Sequence, residues 1–212
     1  MKNSLLVLCV FLTLSLTAQE TAKQIFESPK LKEAIAKHKI VAILPFEATI
    51  SYKRPPKNFD PAQNKEDEKK LANDLQNEMY TFLLRKQSRY TVEFQDPDKT
   101  NTLLRRAKVF DRINEVGVDS LAAILKVDAV IKSSYSYEKT SSEGAAIAKT
   151  ILFGGIGAKT GGGQLVMMIK QGSDGELLWR FSKEMNDGVF SSPNELMERM
   201  MRKVSRNFPY EK

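Results

Sequence analysis

Residues 40–46 read Ile-Val-Ala-Ile-Leu-Pro-Phe, an apolar run with no polar interruption. A strand with one wet face alternates apolar and polar side chains, so an unbroken run means a strand buried on both faces. Such a strand needs a packed layer on each side of its sheet. Pro45 has no N–H to give to a ladder, which predicts the end of the strand there.

The rest of the chain supplies those layers. Residues 65–87 place Leu71, Leu75, Met79, Phe82 and Leu83 at helical spacing, with acidic residues near the start and Arg85 and Lys86 at the end, where the helix dipole favours them. Asp96-Pro97 caps a helix carrying Leu103, Leu104 and Ala107, Asp119 opens a short one through Leu121, Ile124 and Leu125, and Ser28-Pro29 starts another that runs to about Lys37. Strands are expected at 39–46, 90–94, 127–137, 164–170 and 176–183. The last two join across Gln171-Gly172-Ser173-Asp174-Gly175, where Asp-Gly supplies the positive-φ position of a bulged hairpin turn. Ser192-Pro193-Asn194-Glu195 is a capping box that opens a final helix with Leu196, Met197, Met200, Met201, Val204 and Phe208 on one side. The fold class is therefore α/β: a mixed five-stranded sheet flanked by helices, ending in a β-hairpin and a C-terminal helix.

Residues 1–18 combine Lys2, an apolar stretch too short to span a bilayer, and the small residue Ala18 before polar sequence, the pattern of a secretory signal peptide. Cys9 is the only cysteine and lies inside it, without the small residues before it that lipoprotein processing uses. The expected organisation is a signal peptide over 1–18, an N-terminal helical lead-in over 19–38, and one α/β domain over 39–210 with long loops at 47–64 and 138–163. The expected location is the periplasm or the periplasmic face of an outer membrane, without a lipid anchor. A net charge of +7 falls to +6 once Lys2 leaves, a modest excess that in an exported protein does not point to nucleic acid.

Motifs for chemistry fail in detail. Residues 153–160, Phe-Gly-Gly-Ile-Gly-Ala-Lys-Thr, lack both glycines that a phosphate loop requires, and a strand rather than a helix follows. His38 is the only histidine and is read as an exposed helix-end residue between Lys37 and Lys39. The acidic residues fit helix starts and caps. No catalytic residue, cofactor or metal site is expected. On the final helix Arg199, Arg202, Lys203 and Arg206 form a solvated side, with contact to anionic lipid or glycan as the sharper reading.

Several stretches together resemble a family. Val41-Ala42-Ile43-Leu44-Pro45-Phe46, the strand Tyr90-Thr91-Val92-Glu93 after a capped helix, Val116-Gly117-Val118-Asp119 and Val127-Asp128-Ala129-Val130-Ile131-Lys132 resemble the α/β domain of the curli-secretion subunit CsgG. They are also similar to the amino-terminal domain of TolB and to the envelope lipoprotein LpoB, and Asn207-Phe208-Pro209-Tyr210 resembles the ending of small lipoproteins of that superfamily. The resemblance spans roughly 39–210 and implies a mixed sheet with helices packed on it, in proteins that assemble at the outer envelope without catalysing a reaction. It offers no catalytic residues to carry over. Two features depart from it: the missing lipoprotein cysteine motif, and residues 145–156, which do not alternate apolar with polar as the family's membrane-spanning hairpins do.

Right-handed crossovers make the first and third expected strands parallel, so loops 47–64 and 138–163 leave the same edge of the sheet. Both exceed ordinary connection lengths, a mark of function or disorder. The interaction residues expected there are Tyr52, Lys53, Arg54, Lys57 and Phe59 in one loop, and Ile151, Leu152, Phe153, Gly154, Gly155 and Ile156 in the other. The function read from this is a non-enzymatic envelope protein that binds an envelope protein or itself, as an accessory of outer-membrane assembly or secretion. The alternatives are a membrane-inserting oligomeric secretion subunit, and a small-ligand receptor or enzyme using the strand-end crevice, where Glu47, Tyr137 and Glu138 are the ionisable groups. The exported protein is expected to begin at Gln19 and to carry no acyl chain. Its intact mass checks both points.

Overall fold

The computed structural model describes residues 23–139, 161–187 and 193–212. The expected signal peptide, the expected capping serine of the final helix and the expected contact residues Ile151, Leu152, Phe153, Gly154, Gly155 and Ile156 lie outside the described residues.

Among the described residues, seven strands form one mixed sheet. They are β1 (Gln24–Glu27), β2 (Ile40–Ile43), β3 (Glu47–Tyr52), β4 (Glu93–Gln95), β5 (Ala129–Lys139), β6 (Gly161–Gln171) and β7 (Leu177–Asp187), in the order β1-β7-β6-β5-β2-β4, with β3 beside β5. β2 runs parallel to both β4 and β5, and β3 is parallel to β5; the β5-β6, β6-β7 and β7-β1 pairs are antiparallel. The helices are α1 (Leu31–Ile35), α2 (Pro61–Arg85), α3 (Pro97–Arg106), α4 (Val118–Leu125) and α5 (Pro193–Val204). The connection from β2 to β4 crosses through α2, and the return from β4 to β5 crosses through α3 and α4. Because the two crossovers step in opposite directions and keep one hand, their helices fall on opposite faces of the sheet.

That arrangement buries β2 on both sides, as its unbroken apolar run requires. Val41 and Ile43 join Leu75, Met79 and Phe82 of α2 and Met197, Met200, Met201 and Val204 of α5 in the larger core. Ala42 and Leu44 join Leu104, Leu121, Leu125 and Val130 in the smaller one behind.

Pro45 does not end the ribbon. Val41 to Ile43 pair with Ala129 to Ile131, and pairing resumes with Glu47 opposite Ser134, so Leu44, Pro45 and Phe46 face only Lys132 and Ser133. One extra residue on one strand is a bulge, the position within a sheet where proline is tolerated. The expected loop at 47–64 is corrected accordingly, since its first six residues form β3. Their alternation is weak, Glu-Ala-Thr-Ile-Ser-Tyr, and the partner that makes them a strand is the distant upper half of β5. Asp60-Pro61, within the same expected loop, instead starts α2. The Asp60 carboxylate accepts from the backbone N–H of Ala62 at 2.8 Å and of Gln63 at 3.4 Å.

The lead-in also differs from its helical reading. α1 is present, but Gln24–Glu27 is an exposed edge strand on β7, made by pairing rather than by its own pattern. The described ends of the loop expected at 138–163 are strand as well, because β5 runs to Lys139 and β6 begins at Gly161. Within β6, Gly163 lies so close to the Tyr135 ring that a Cβ there would stand 2.4 Å from the phenol oxygen.

His38 is buried, not exposed, with 5% of its surface accessible. Its Nδ1 lies 2.7 Å from the Tyr210 hydroxyl and its Nε2 2.8 Å from Gln171 Oε1. Its lysine neighbours hide this from the sequence, because the covering group is Tyr210, brought over from the end of the chain. Burial, with Asp128 nearby, pushes the Tyr210 phenol far above its ordinary range and keeps it a neutral partner for the imidazole.

The hairpin turn holds as read. Gly175 has φ +73°, a region closed to β-branched residues, and Asp174 Oδ1 accepts the Glu176 N–H at 2.9 Å. Gly175→Val is expected to destabilise the protein by about 1–3 kcal/mol, measured as a shift of the urea midpoint at constant slope.

Candidate interaction surface

β5, β6 and β7 each run for 11 residues, whereas β2 has four. The sheet is therefore taller than the layers behind it. From the sheet, the smaller core takes only Ala42, Leu44 and Val130. Beyond that level the same face carries, by strand alternation, Lys132, Ser134, Ser136 and Glu138 on β5, Glu47, Thr49 and Ser51 on β3, and Gln164, Val166 and Met168 on β6. These residues are half-buried or exposed. The opposite face of this upper half holds Tyr135 and Tyr137, stacked with ring centroids 6.4 Å apart, and belongs to the larger core.

The expected residues of the first loop gather at the top of β3. Tyr52 and Phe59 meet edge to face at 5.2 Å, and the Lys139 ammonium lies 5.2 Å from the Tyr52 ring centre. Lys53 N–H donates to Lys139 O at 2.9 Å, extending the β3-β5 ladder by one residue. Lys53, Arg54, Lys57 and Phe59 are all exposed. These five residues form one basic, partly aromatic corner. Glu47 is not drawn to Tyr137 and Glu138: it pairs at the level of Ser134, three residues down β5.

Sequence reasoning missed the device that guards the outer edge of β3. Glu68 Oε1 accepts the Ile50 N–H at 2.9 Å, while the Asn64 amide donates to Ile50 O at 3.1 Å. Two helix side chains thus stand in for a neighbouring strand at that residue. Lys65 binds the other carboxylate oxygen at 2.8 Å. Burial raises the Glu68 carboxyl, but the hydrogen bonds from Lys65 and from the Ile50 N–H outweigh it and hold the group below its ordinary range. The available signal was the i, i+4 pair Asn64 and Glu68 on one helix face. Its partner was invisible while 47–52 was read as a loop.

At the other edge, among the described residues, β1 pairs with β7 as far as Ser182. Ser28 N–H donates to Leu178 O at 2.8 Å, and alternation along the strand then turns the backbone groups of Glu184 outward, past the end of β1.

The crevice at the carboxyl ends of β2 and β4, where the crossovers diverge, is the usual ligand position in an open α/β sheet. Here the chain fills it. Gln76 Nε2 donates to Ile43 O at 2.8 Å, and the Gln76 and Asn101 amides bond reciprocally at 3.2 and 2.9 Å, both side chains being buried. Among the described residues no three His, Cys, Asp or Glu side chains gather as metal ligands, and no helix is long and apolar enough to cross a membrane.

No family model matches the chain, and no curated protein matches it in sequence. Solved structures do resemble it. The lipoprotein GNA1162 from Neisseria meningitidis aligns with a TM-score of 0.47 at 11% identity, over 79% of this chain and 96% of that one. A PelC dodecamer from Paraburkholderia phytofirmans gives 0.44 at 9% identity, over 91% and 100%. The LpoB C-terminal domain from Salmonella enterica gives 0.34 at 8%, over 74% and 96%. Likenesses of this size do not assign the chain to a family.

Replacing Glu68 by Ala leaves the Ile50 N–H without its acceptor and is expected to cost about 1–2 kcal/mol. Because the folded carboxyl titrates below its unfolded value, its contribution is complete above the ordinary glutamate range and fades as pH falls through the folded value. Urea midpoints measured from neutral to acid pH should therefore fall less steeply for Glu68→Gln than for the parent.

Proposed function

We propose that this chain is a non-enzymatic envelope protein that works by association, binding a protein partner or a second copy of itself through the upper half of its sheet. The observation that carries the reading is the exposure of that half: among the described residues one face lacks a helical layer, and no strand pairs with the β7 edge beyond Ser182. Exposed edges are templates for strand addition. The two edges also differ in charge, with Lys53, Arg54 and Lys57 at the β3 corner and Glu184 on β7, which suits head-to-tail contact between copies. The plugged crevice between β2 and β4 counts against an enzyme or receptor that uses the strand-end position. The envelope location rests on the leader sequence and on the resemblance to CsgG, TolB and LpoB, and the role as an accessory of assembly or secretion rests on the same ground.

Crosslinking in envelopes followed by co-purification, together with sedimentation of the mature protein, tests this. Glu184→Pro removes an outward N–H at an edge position that tolerates proline. It is expected to leave the monomer's thermal midpoint in place while weakening self-association or partner capture by about tenfold. Unchanged association would remove the β7 edge from the reading, and a strictly monomeric protein with no crosslinked partner would end it.

A further inference from the structure

β1 ends the sheet with a strand that is itself open. It pairs with β7 on one side, and among the described residues no strand lies on the other. All four of its residues are exposed, and Ile25 and Phe26 keep 37% and 47% of their surface accessible. An edge guarded against its own copies carries proline, a bulge or charges that repel. The segment 23–27 has no proline, and β1 meets β7 without a shift of register. Its two charges, Lys23 and Glu27, stand at equal distance from Ile25 and have opposite signs.

The register on β7 determines which backbone groups face outward. Gln24, Ile25, Phe26 and Glu27 stand opposite Ser182, Phe181, Arg180 and Trp179, and the Ser28 N–H donates to Leu178 O at 2.8 Å. In an antiparallel ladder alternate pairs exchange both hydrogen bonds. Ser28, Phe26 and Gln24 therefore bond to β7, while Glu27, Ile25 and Lys23 turn their N–H and C=O groups away from it. A second β1 laid antiparallel on this edge must match outward residues with outward residues. Setting Ile25 opposite the Ile25 of the second copy uses all three, and Lys23 of each copy then faces Glu27 of the other. A shift of two residues either way puts Ile25 opposite a charge instead. Residues directly opposite share a face of the sheet, where unlike charges attract and apolar side chains pack. Here that face is the one of the larger core, since Ile25 lies beside Phe181, and on it Lys23 Nζ is 3.2 Å from Asn207 Oδ1. We infer that two copies of this protein associate edge to edge through β1, antiparallel and two-fold symmetric about Ile25, so that their sheets become one. β1 pairs with β7 from Trp179 to Ser182, short of Glu184, and the contact goes beyond the association proposed for the upper half. So short an edge buries less than the roughly 1,000 Å² of a stable interface, which makes the dimer reversible and dependent on concentration.

Sedimentation of the mature protein from micromolar to millimolar concentration tests the inference and should show monomer and dimer in equilibrium. Lys23→Glu and Glu27→Lys each set like charges across the edge and should weaken the dimer by about tenfold. Their thermal midpoints should not move, because both positions are exposed. Mixing the two variants, or combining both changes in one chain, restores opposite charges in this register and should restore the affinity. Ile25→Cys places one thiol from each copy at a hydrogen-bonded pair with Cα atoms about 5.5 Å apart, within the reach of a disulfide. Cys9, the only cysteine in the sequence, lies in the expected signal peptide, so mild oxidation of this variant should give a covalent dimer. The inference is overturned if the parent stays monomeric, if neither charge reversal weakens the dimer, if the mixture and the double variant fail to recover it, or if Ile25→Cys does not crosslink. Glu184→Pro should leave this dimer intact. A dimer lost with Glu184→Pro and kept in both charge reversals belongs to the upper sheet and also overturns the inference.

Discussion

The two halves of this molecule are joined by one continuous strand. β5 begins among apolar residues, with Ala129, Val130 and Ile131 closed in by helices on both faces, and ends among Ser136, Glu138 and Lys139, where one face lacks a helical layer among the described residues. Along its length it changes partner on one side from β2 to β3, and the bulge at Leu44, Pro45 and Phe46 is where the change occurs. A ladder of parallel hydrogen bonds tolerates one extra residue by bending locally. That is the physical event that lets a packed α/β sandwich carry a taller sheet above it.

Polar groups are placed with the same economy. Gln76 and Asn101 close the carboxyl end of β2, and the buried Gln95 amide, which donates to Leu125 O at 3.0 Å, accepts from the Thr100 hydroxyl at 2.9 Å. At the opposite end of the sheet, Asp128 accepts the backbone N–H groups of Lys39 and Ile40 at 2.7 and 2.9 Å. Buried amides that satisfy one another hold elements at fixed separation, since any shift would strand a donor or acceptor. Among the described residues, the exposed upper sheet shows no such network on its open face. Its Glu68 and Asn64 contacts protect a single point on the β3 edge.

The last residues of the chain act as a clasp. Tyr210 reaches His38, its backbone oxygen accepts the Thr91 N–H at 2.9 Å, and Phe208 sits among Tyr90, Phe94 and Trp179 with ring centroids 5.8 to 6.3 Å apart. Edge-to-face and offset contacts of this kind add to the area they bury. They tie α5 and the segment after it to β4 and β7, elements far apart in sequence.

The sequence by itself determined the elements whose signals are local. The unbroken run of β2 demanded cover on both faces, the spacing of Leu75, Met79 and Phe82 set the buried side of α2, Asp96-Pro97 started α3, and Asp174-Gly175 fixed the hairpin. The buried stripe of α5 followed from the positions of Met197, Met200, Met201 and Val204. Only the tertiary structure decided β1 and β3, because a half-buried or exposed edge strand is made by its partner's hydrogen bonds and leaves little pattern of its own. It alone turned His38 inward, since the residues that bury it lie more than a hundred positions away. In the candidate interaction surface, the basic corner from Tyr52 to Phe59 was legible as composition. The edge device of Asn64 and Glu68 was not, because it depends on which strand lies beside the helix, and that is a property of register rather than of residue type.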